Sequence, residues 1–289
     1  MTRTIDTSTQ FCAVIGNPVG HSLSPAIHNA AFEAAGLNFV YGAFQVEDVA
    51  ACLQGMRAMR GFRGLSVTIP HKIAAMAAVD ELDPMARRVG CINTVTRTEG
   101  RLHGSVTDGT GTLRAFAEAG VSLEGRKVLF LGAGGAVRAV AFAFAMQAGV
   151  ARVTLLARDR GRAAALAGDV SGAATCPVAS GDLSDEIEGA MAGHDIIIQG
   201  TPVGMYPNEG AMCIPPGLLG PGHVVFDMVY RPLKTAFLQE AEASGCKTIS
   251  GTEMLVQQAA EQFETWTGVK APVSVMRSAL LGALSGRRE

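Results

Sequence analysis

The sequence has no paired cysteines, no basic run and no hydrophobic stretch long enough to span a bilayer, and each absence removes a class of protein. Six cysteines are present, Cys12, Cys52, Cys91, Cys176, Cys213 and Cys246. No two form a C-x-x-C pair and no histidine stands near them at metal-ligand spacing, so no metal site is expected. Most lie in apolar runs and read as small buried thiols. A net charge of −2, with Lys and Arg scattered along the chain, leaves no footprint for a nucleic acid or a membrane surface. Met1–Gln10 is polar and carries Asp6, which is not the pattern of a signal peptide. The apolar stretch Ala136–Ala148 is broken by Arg138 and Gln147 and is too short for a membrane span. The expected setting is reducing and cytoplasmic.

What is present is a large core. Across 289 residues, 48% are hydrophobic and 17% charged, enough for two ordinary domains. No internal repeat appears. Short β-branched or apolar runs alternate with longer alanine-rich helical patterns, which is the mark of α/β architecture. Strands are expected at Phe11–Ile15, Val40–Phe44 and Leu65–Thr68, with helices at Ser24–Ala35, behind a Ser-Pro start, and Val46–Arg60. Short helices from Lys72 and Pro84 follow, then a hairpin over Val95–Val106 that turns at Glu99-Gly100. A helix over Gly109–Ala119 leads to a strand–helix–strand unit of Lys127–Leu131, Ala136–Ala148 and Arg152–Leu156. Later parallel strands are expected at Asp195–Gln199 and Val224–Asp227, and terminal helices at Glu253–Trp266 and Val273–Leu284. The expected division is a first domain over residues 1–113, completed by helices in 252–289, and a Rossmann-type nucleotide domain over 114–251.

Gly132-Ala133-Gly134-Gly135-Ala136 stands between a hydrophobic strand and an alanine-rich helix. Gly132 can take the tight turn, Gly134 lets the main chain approach a pyrophosphate, and the helix start offers free N–H groups and a positive dipole end. Val137 holds the place of the third glycine of the usual fingerprint, so Gly135 and Ala136 would serve the close packing. After the second strand comes Ala157-Arg158-Asp159-Arg160-Gly161-Arg162. Arg158 and Arg162 suit a 2′-phosphate and hence NADP, while Asp159 suits free ribose hydroxyls and hence NAD. The residues alone leave NADP and NAD both open.

Two further places carry chemistry. Ser22-Leu23-Ser24-Pro25 sets two hydroxyls at a helix mouth, which fits a carboxylate or a plain helix cap. Ser66-Val67-Thr68-Ile69-Pro70-His71-Lys72 ends a strand and presents a lysine that beside a carboxylate can give and take a proton. Asn93 and Asp108 stand at strand ends.

In sequence order the chain carries GNPxxHSxSPxxHN, VTIPHK, GxINT, TDGxG, GAGGAxRA, TPVGM, DMVYxPxxT and EMLVxQ, from Gly16 to Gln258. This ordered set resembles the shikimate dehydrogenase family. The resemblance implies a substrate domain, a Rossmann-type NADP domain and a cleft between them. It implies reduction of 3-dehydroshikimate to shikimate, with Lys72 and Asp108 as the catalytic pair. Ser22 and Ser24 would bind the substrate carboxylate, with Tyr230 near it, and Thr68, Asn93, Asp108 and Gln258 would meet the ring hydroxyls. Ser66 joins the substrate side. Gly132, Ala133, Gly134, Gly135, Ala136, Arg158, Asp159, Arg162 and Thr201 would hold the coenzyme, with Met228 and Gly251 at its nicotinamide end. A small carboxylate substrate, no macromolecular partner, and a monomer or homodimer are expected. The chain departs from the family pattern at Val106, Ser66, Ala157 and Asp159. A quinate or aminoshikimate dehydrogenase is therefore the same-class alternative, and a non-catalytic nucleotide-binding paralogue the other.

Overall fold

The computed structural model describes residues 5–286. The chain divides into two compact units, one running to Thr107 and resuming at Val256, the other spanning Asp108–Leu255.

The first unit begins with β1 (Gln10–Gly16), α1 (Ser24–Ala34), β2 (Phe39–Gln45), α2 (Val49–Ala58) and β3 (Phe62–Val67). After one 3-10 turn at Ala74–Ala78 come β4 (Glu81–Leu82), α3 (Pro84–Val89), β5 (Thr94–Thr98) and β6 (Arg101–Ser105). The expected helix from Lys72 is thus a single 3-10 turn. Its sheet runs β2-β1-β3-β5-β6-β4, with β1 parallel to both β2 and β3, and β5 antiparallel to β3 and β6. Asp48 starts α2 by accepting the Ala51 N–H at 2.9 Å, which satisfies an orphan donor of the first turn.

The second unit holds α4 (Asp108–Glu118), β7 (Lys127–Leu131), α5 (Gly135–Gln147), β8 (Arg152–Ala157), α6 (Arg160–Ser171), β9 (Val178–Asp182) and α7 (Leu183–Ala192). It continues with β10 (Ile196–Gln199), β11 (Val224–Asp227), α8 (Ala236–Ala243) and β12 (Lys247–Ser250). A long helix, α9 (Gly251–Thr267), starts in this unit and ends in the first, where α10 (Val273–Gly286) also belongs. All six strands are parallel, in the order β12-β11-β10-β7-β8-β9. Counted within the unit this is the doubly wound order 3-2-1-4-5-6, whose switch point lies between the first and fourth strands, here β7 and β10. Burial on both faces explains why β7 and β10 read as continuous apolar runs rather than alternating ones.

Each unit has its own aromatic core. In the second, Phe144 meets Phe116 and Phe130 edge-on, with ring centroids 5.4 and 5.8 Å apart. In the first, Trp266 lies fully buried against Gly64, where any Cβ would collide with the indole, and its Nε1 donates to the Val95 carbonyl at 3.2 Å. His28 stacks on Tyr41 at 4.3 Å in the same core. Burial drives its pKa down to about 3, the Gln262 side chain only partly offsetting that.

Candidate active site

In the first unit, the loop before α1 places Ser22 half-buried and Ser24 buried. Leu23, not Ser24, holds the cap position of α1, and no side chain caps that helix. Ser22 Oγ instead accepts the Ser24 N–H at 3.3 Å. A hydroxyl has one proton and two lone pairs, so this bond leaves the Ser22 proton for another acceptor at a helix start that favours an anion.

The segment after β3 is tied down on several sides. The Thr68 N–H donates to the Ile15 carbonyl and the His71 N–H to the Thr68 carbonyl, both at 2.9 Å. The buried His71 ring contacts the Val46 carbonyl through Nε2 at 2.7 Å, and the Lys72 carbonyl accepts the Ile92 N–H at 2.9 Å. Gly16 is required here, since a Cβ would fall 2.5 Å from Thr68 Cγ2. Lys72 is therefore half-buried on an anchored backbone rather than carried on a loose loop.

Ser66, Asn93 and Gln258 are all buried in this unit. Ser66 accepts from the Tyr41 hydroxyl at 2.6 Å and donates to Gln262 Oε1 at 2.8 Å. Its only proton is spent inside the protein, so toward a substrate Ser66 can act only as an acceptor. Asn93 Oδ1 accepts from Thr94 Oγ1 at 2.8 Å and from the Thr107 N–H at 2.9 Å.

Asp108 belongs to the second unit, buried in the first turn of α4, where a carboxylate meets the positive end of the helix dipole. Of the residues expected to hold the coenzyme, Gly132, Ala133, Gly134, Arg158, Asp159, Arg162 and Thr201 line a cavity of about 460 Å³ at the switch point of the sheet. Gly132 follows β7 with φ +113°, a conformation that favours glycine, and a Cβ on it would lie 3.1 Å from Thr201 Cγ2. Gly134 takes the cap position of α5, no side chain caps that helix, and nothing lies within 4 Å of where its Cβ would be. Main-chain donors at this helix start therefore face open space, which suits a pyrophosphate.

Arg158, Asp159 and Arg162 lie together in the lining of this cavity. Asp159 is the cap of α6, its Oδ1 accepting the Arg162 N–H at 3.0 Å and its Oδ2 standing 3.6 Å from Arg162 Nε. Arg160 turns elsewhere, to Asp182 at 3.9 Å and Glu186 at 3.6 Å. A glycine cradle, an uncapped helix start and two guanidinium groups fit a dinucleotide carrying a 2′-phosphate.

Gly135, Ala136, Met228 and Gly251 do not line this cavity, whereas Ala133 and Thr201 do. Met228 donates its N–H to the Gln199 carbonyl at 2.9 Å. A Cβ on Gly200 would meet Met228 Sδ at 3.1 Å, and one on Gly251 would meet the Met228 carbonyl oxygen at 2.6 Å. Met228 thus packs against both Gly200 and Gly251. Tyr230 is half-buried just beyond.

Three residues with supporting roles escaped the sequence reading. Gln199, fully buried, accepts the Thr201 N–H and donates to the Val203 carbonyl at 2.9 Å, shaping the Thr201–Met205 loop. Asp227 accepts from Thr235 Oγ1 at 2.5 Å and the Val229 N–H at 2.9 Å, which closes the loop bearing Met228 and Tyr230. Burial pushes its carboxyl up to about 6 despite both bonds. Gln262 is the third, and its one sequence signal is its place four residues after Gln258, on the same face of a helix. Among the described residues no cluster of His, Cys, Asp or Glu could hold a metal ion, and no helix is long and apolar enough to cross a membrane.

Known proteins resemble this chain along its whole length. Residues 14–95 match the family profile described as the shikimate dehydrogenase substrate binding domain, and residues 251–281 that of the shikimate 5'-dehydrogenase C-terminal domain. A shikimate dehydrogenase (NADP(+)) of Moorella thermoacetica is 46% identical over 98% of this chain and 97% of its own. The solved shikimate 5-dehydrogenase of Listeria monocytogenes, in complex with shikimate and NAD, superposes with a TM-score of 0.92 at 37% identity, covering 97% of this chain and 99% of that one. The Thermus thermophilus shikimate 5-dehydrogenase in complex with NADP(H) and shikimate gives a TM-score of 0.86 at 40% identity, over 96% of this chain and all of that one, 100%.

Proposed function

The chain belongs to the shikimate dehydrogenase family, and from that premise we propose how its own residues serve the reaction. It reversibly reduces 3-dehydroshikimate to shikimate with NADP as coenzyme. The bound coenzyme supplies or accepts the hydride; binding, orientation and proton transfer fall to the protein.

Ser22 and Ser24 hold the substrate carboxylate at the start of α1, with Tyr230 serving the same group. Thr68, Asn93, Asp108 and Gln258 bind ring hydroxyls, and Ser66 supports them as an acceptor. Lys72 gives a proton to the developing alkoxide and takes one back in the oxidation direction, and its charge stabilises the oxyanion. Asp108 accepts a hydrogen bond from the reacting hydroxyl and so orients it. Gly132, Ala133, Gly134, Gly135 and Ala136 receive the pyrophosphate, Arg158 and Arg162 the 2′-phosphate, and Thr201, Met228 and Gly251 the nicotinamide end. In this reading the unit that runs to Thr107 and resumes at Val256 is the substrate domain and Asp108–Leu255 the coenzyme domain, so the expected boundaries at 113/114 and 251/252 move to the start of α4 and into α9. The enzyme works in the cytoplasm as a monomer or homodimer on small molecules alone.

The observation that carries this reading is the cavity at the β7–β10 switch point, with the glycine turn at one side and Arg158 and Arg162 at the other. Genetic complementation tests it. A bacterial strain lacking shikimate dehydrogenase should grow without aromatic supplements when it expresses this chain, and should not when it expresses Lys72→Ala. Failure of the wild-type chain, made in soluble form, to restore growth would sink the reading.

A further inference from the structure

The buried core of the first unit contains one continuous chain of hydrogen bonds whose polarity is fixed from both ends. At one end the Tyr41 hydroxyl sends its proton to Ser66 Oγ at 2.6 Å, so Ser66 sends its own to Gln262 Oε1 at 2.8 Å. With its carbonyl so committed, Gln262 turns Nε2 to Thr94 Oγ1 at 2.8 Å and to the Asn93 carbonyl at 3.3 Å. Thr94 Oγ1 then donates to Asn93 Oδ1 at 2.8 Å. At the other end the backbone N–H of Thr107, which can only donate, reaches the same Asn93 Oδ1 at 2.9 Å, while Asn93 Nδ2 donates to Thr107 Oγ1 at 3.1 Å. Tyr41, Ser66, Thr94 and Gln262 are all buried.

We propose that Gln262 is a positioning residue that fixes the orientation of the Asn93 side-chain amide and thereby sets affinity for the ring hydroxyls of the substrate. The inference rests on the reading of Asn93 as a ring-hydroxyl ligand. An amide is the group needed at 262, because it must accept from Ser66 and donate to Thr94 at once. With an apolar side chain there, the Thr94 hydroxyl loses the donor that directs its proton to Asn93, and the amide of Asn93 loses one of the donors that hold its carbonyl inward. A buried chain of this kind is sensitive to the loss of a single member.

The test uses the full-length enzyme and two variants. Gln262→Leu should raise KM for shikimate about tenfold, the scale of one or two lost hydrogen bonds, with kcat and the KM for NADP changing far less. Gln262→Glu adds a readout that a merely structural role would not give. While protonated, a carboxyl at this position accepts from Ser66 and donates to Thr94 as the amide does; once ionised it only accepts. Its KM for shikimate should therefore stay near the wild-type value at low pH and climb as pH rises, a dependence absent from the wild type. A folded Gln262→Leu enzyme with unchanged KM, or losses shared equally with NADP, would overturn the proposal, as would a pH-independent Gln262→Glu. If the wild-type protein does not oxidise shikimate at all, the functional reading is at fault. A crystal structure of either variant then decides the positioning role: a turned Asn93 amide supports it and an unmoved one overturns it.

Discussion

The carboxylate of Asp159 accepts the backbone N–H of Arg162 at 3.0 Å, so the acid that argues for NAD in the sequence is the cap of α6 in the structure. One of its oxygens is committed to the helix and the other stands 3.6 Å from the Arg162 guanidinium. Replacing Asp159 by Asn keeps the cap, and the variant should retain NADP preference. Arg158→Ala should raise KM for NADP by tenfold or more, since charge-assisted bonds contribute about 1–3 kcal/mol, and leave KM for NAD nearly unchanged. Kinetics with both coenzymes check this; an Asp159→Asn enzyme that swings to NAD would show that the Asp159 carboxylate itself sets the preference and is more than a cap.

Lys72 is held on a backbone pinned by Ile92 and by the His71 contact to Val46. Lys72→Ala should lower kcat by roughly 100-fold or more, the usual scale for an acid–base group, with little change in shikimate affinity. Steady-state rates and binding calorimetry separate the two effects, and near-normal turnover would remove Lys72 from the chemistry.

Ser22→Ala should weaken shikimate binding by about 1–3 kcal/mol, the scale for a hydrogen bond to a charged group. NADP binding should be untouched. Equal losses for substrate and coenzyme would mark Ser22 as structural, acting only through its 3.3 Å contact with the Ser24 N–H.

Two buried titratable groups give the units opposite responses to pH. His28 titrates near 6.5 when unfolded and about 3 in the core. Between those values the unfolded chain binds the proton and the native one does not, so stability is lost as pH falls below about 6.5. Asp227 goes the other way: its carboxyl rises from 3.8 to about 6, so the native state holds the proton longer and stability is lost as pH rises through that window. Denaturant melts across the range should show His28→Phe flattening the acid loss and Asp227→Asn removing the opposing one, each slope being at most about 1.4 kcal/mol per pH unit. Parallel pH profiles for wild type and both variants would contradict this assignment.

The elements that were legible in the sequence are those with strong local signals. The apolar strand Lys127–Leu131, its glycine turn and the alanine-rich helix after it stand as expected, because burial on both faces leaves a continuous run that sequence alone displays. The strand Val178–Asp182 and the helix after it were not anticipated. That strand is a partly exposed edge of the sheet, with a Ser-Gly-Asp ending and no alternation. Arginine direction was equally hidden: whether Arg160 or Arg162 faces the cavity depends on Asp182 and Glu186, which the fold brings to Arg160. Gln262 was hidden for the same reason, since its partner Ser66 lies 196 residues away in sequence. Long-range polar pairing of this kind leaves no periodic trace.

Initial rates with shikimate and with quinate, each with NADP and with NAD, test the central claim most directly. Shikimate with NADP should give the highest kcat/KM of the four combinations, by tenfold or more, a difference of about 1.4 kcal/mol in transition-state binding. A higher value for quinate with NAD, or no turnover with any pair, would contradict it.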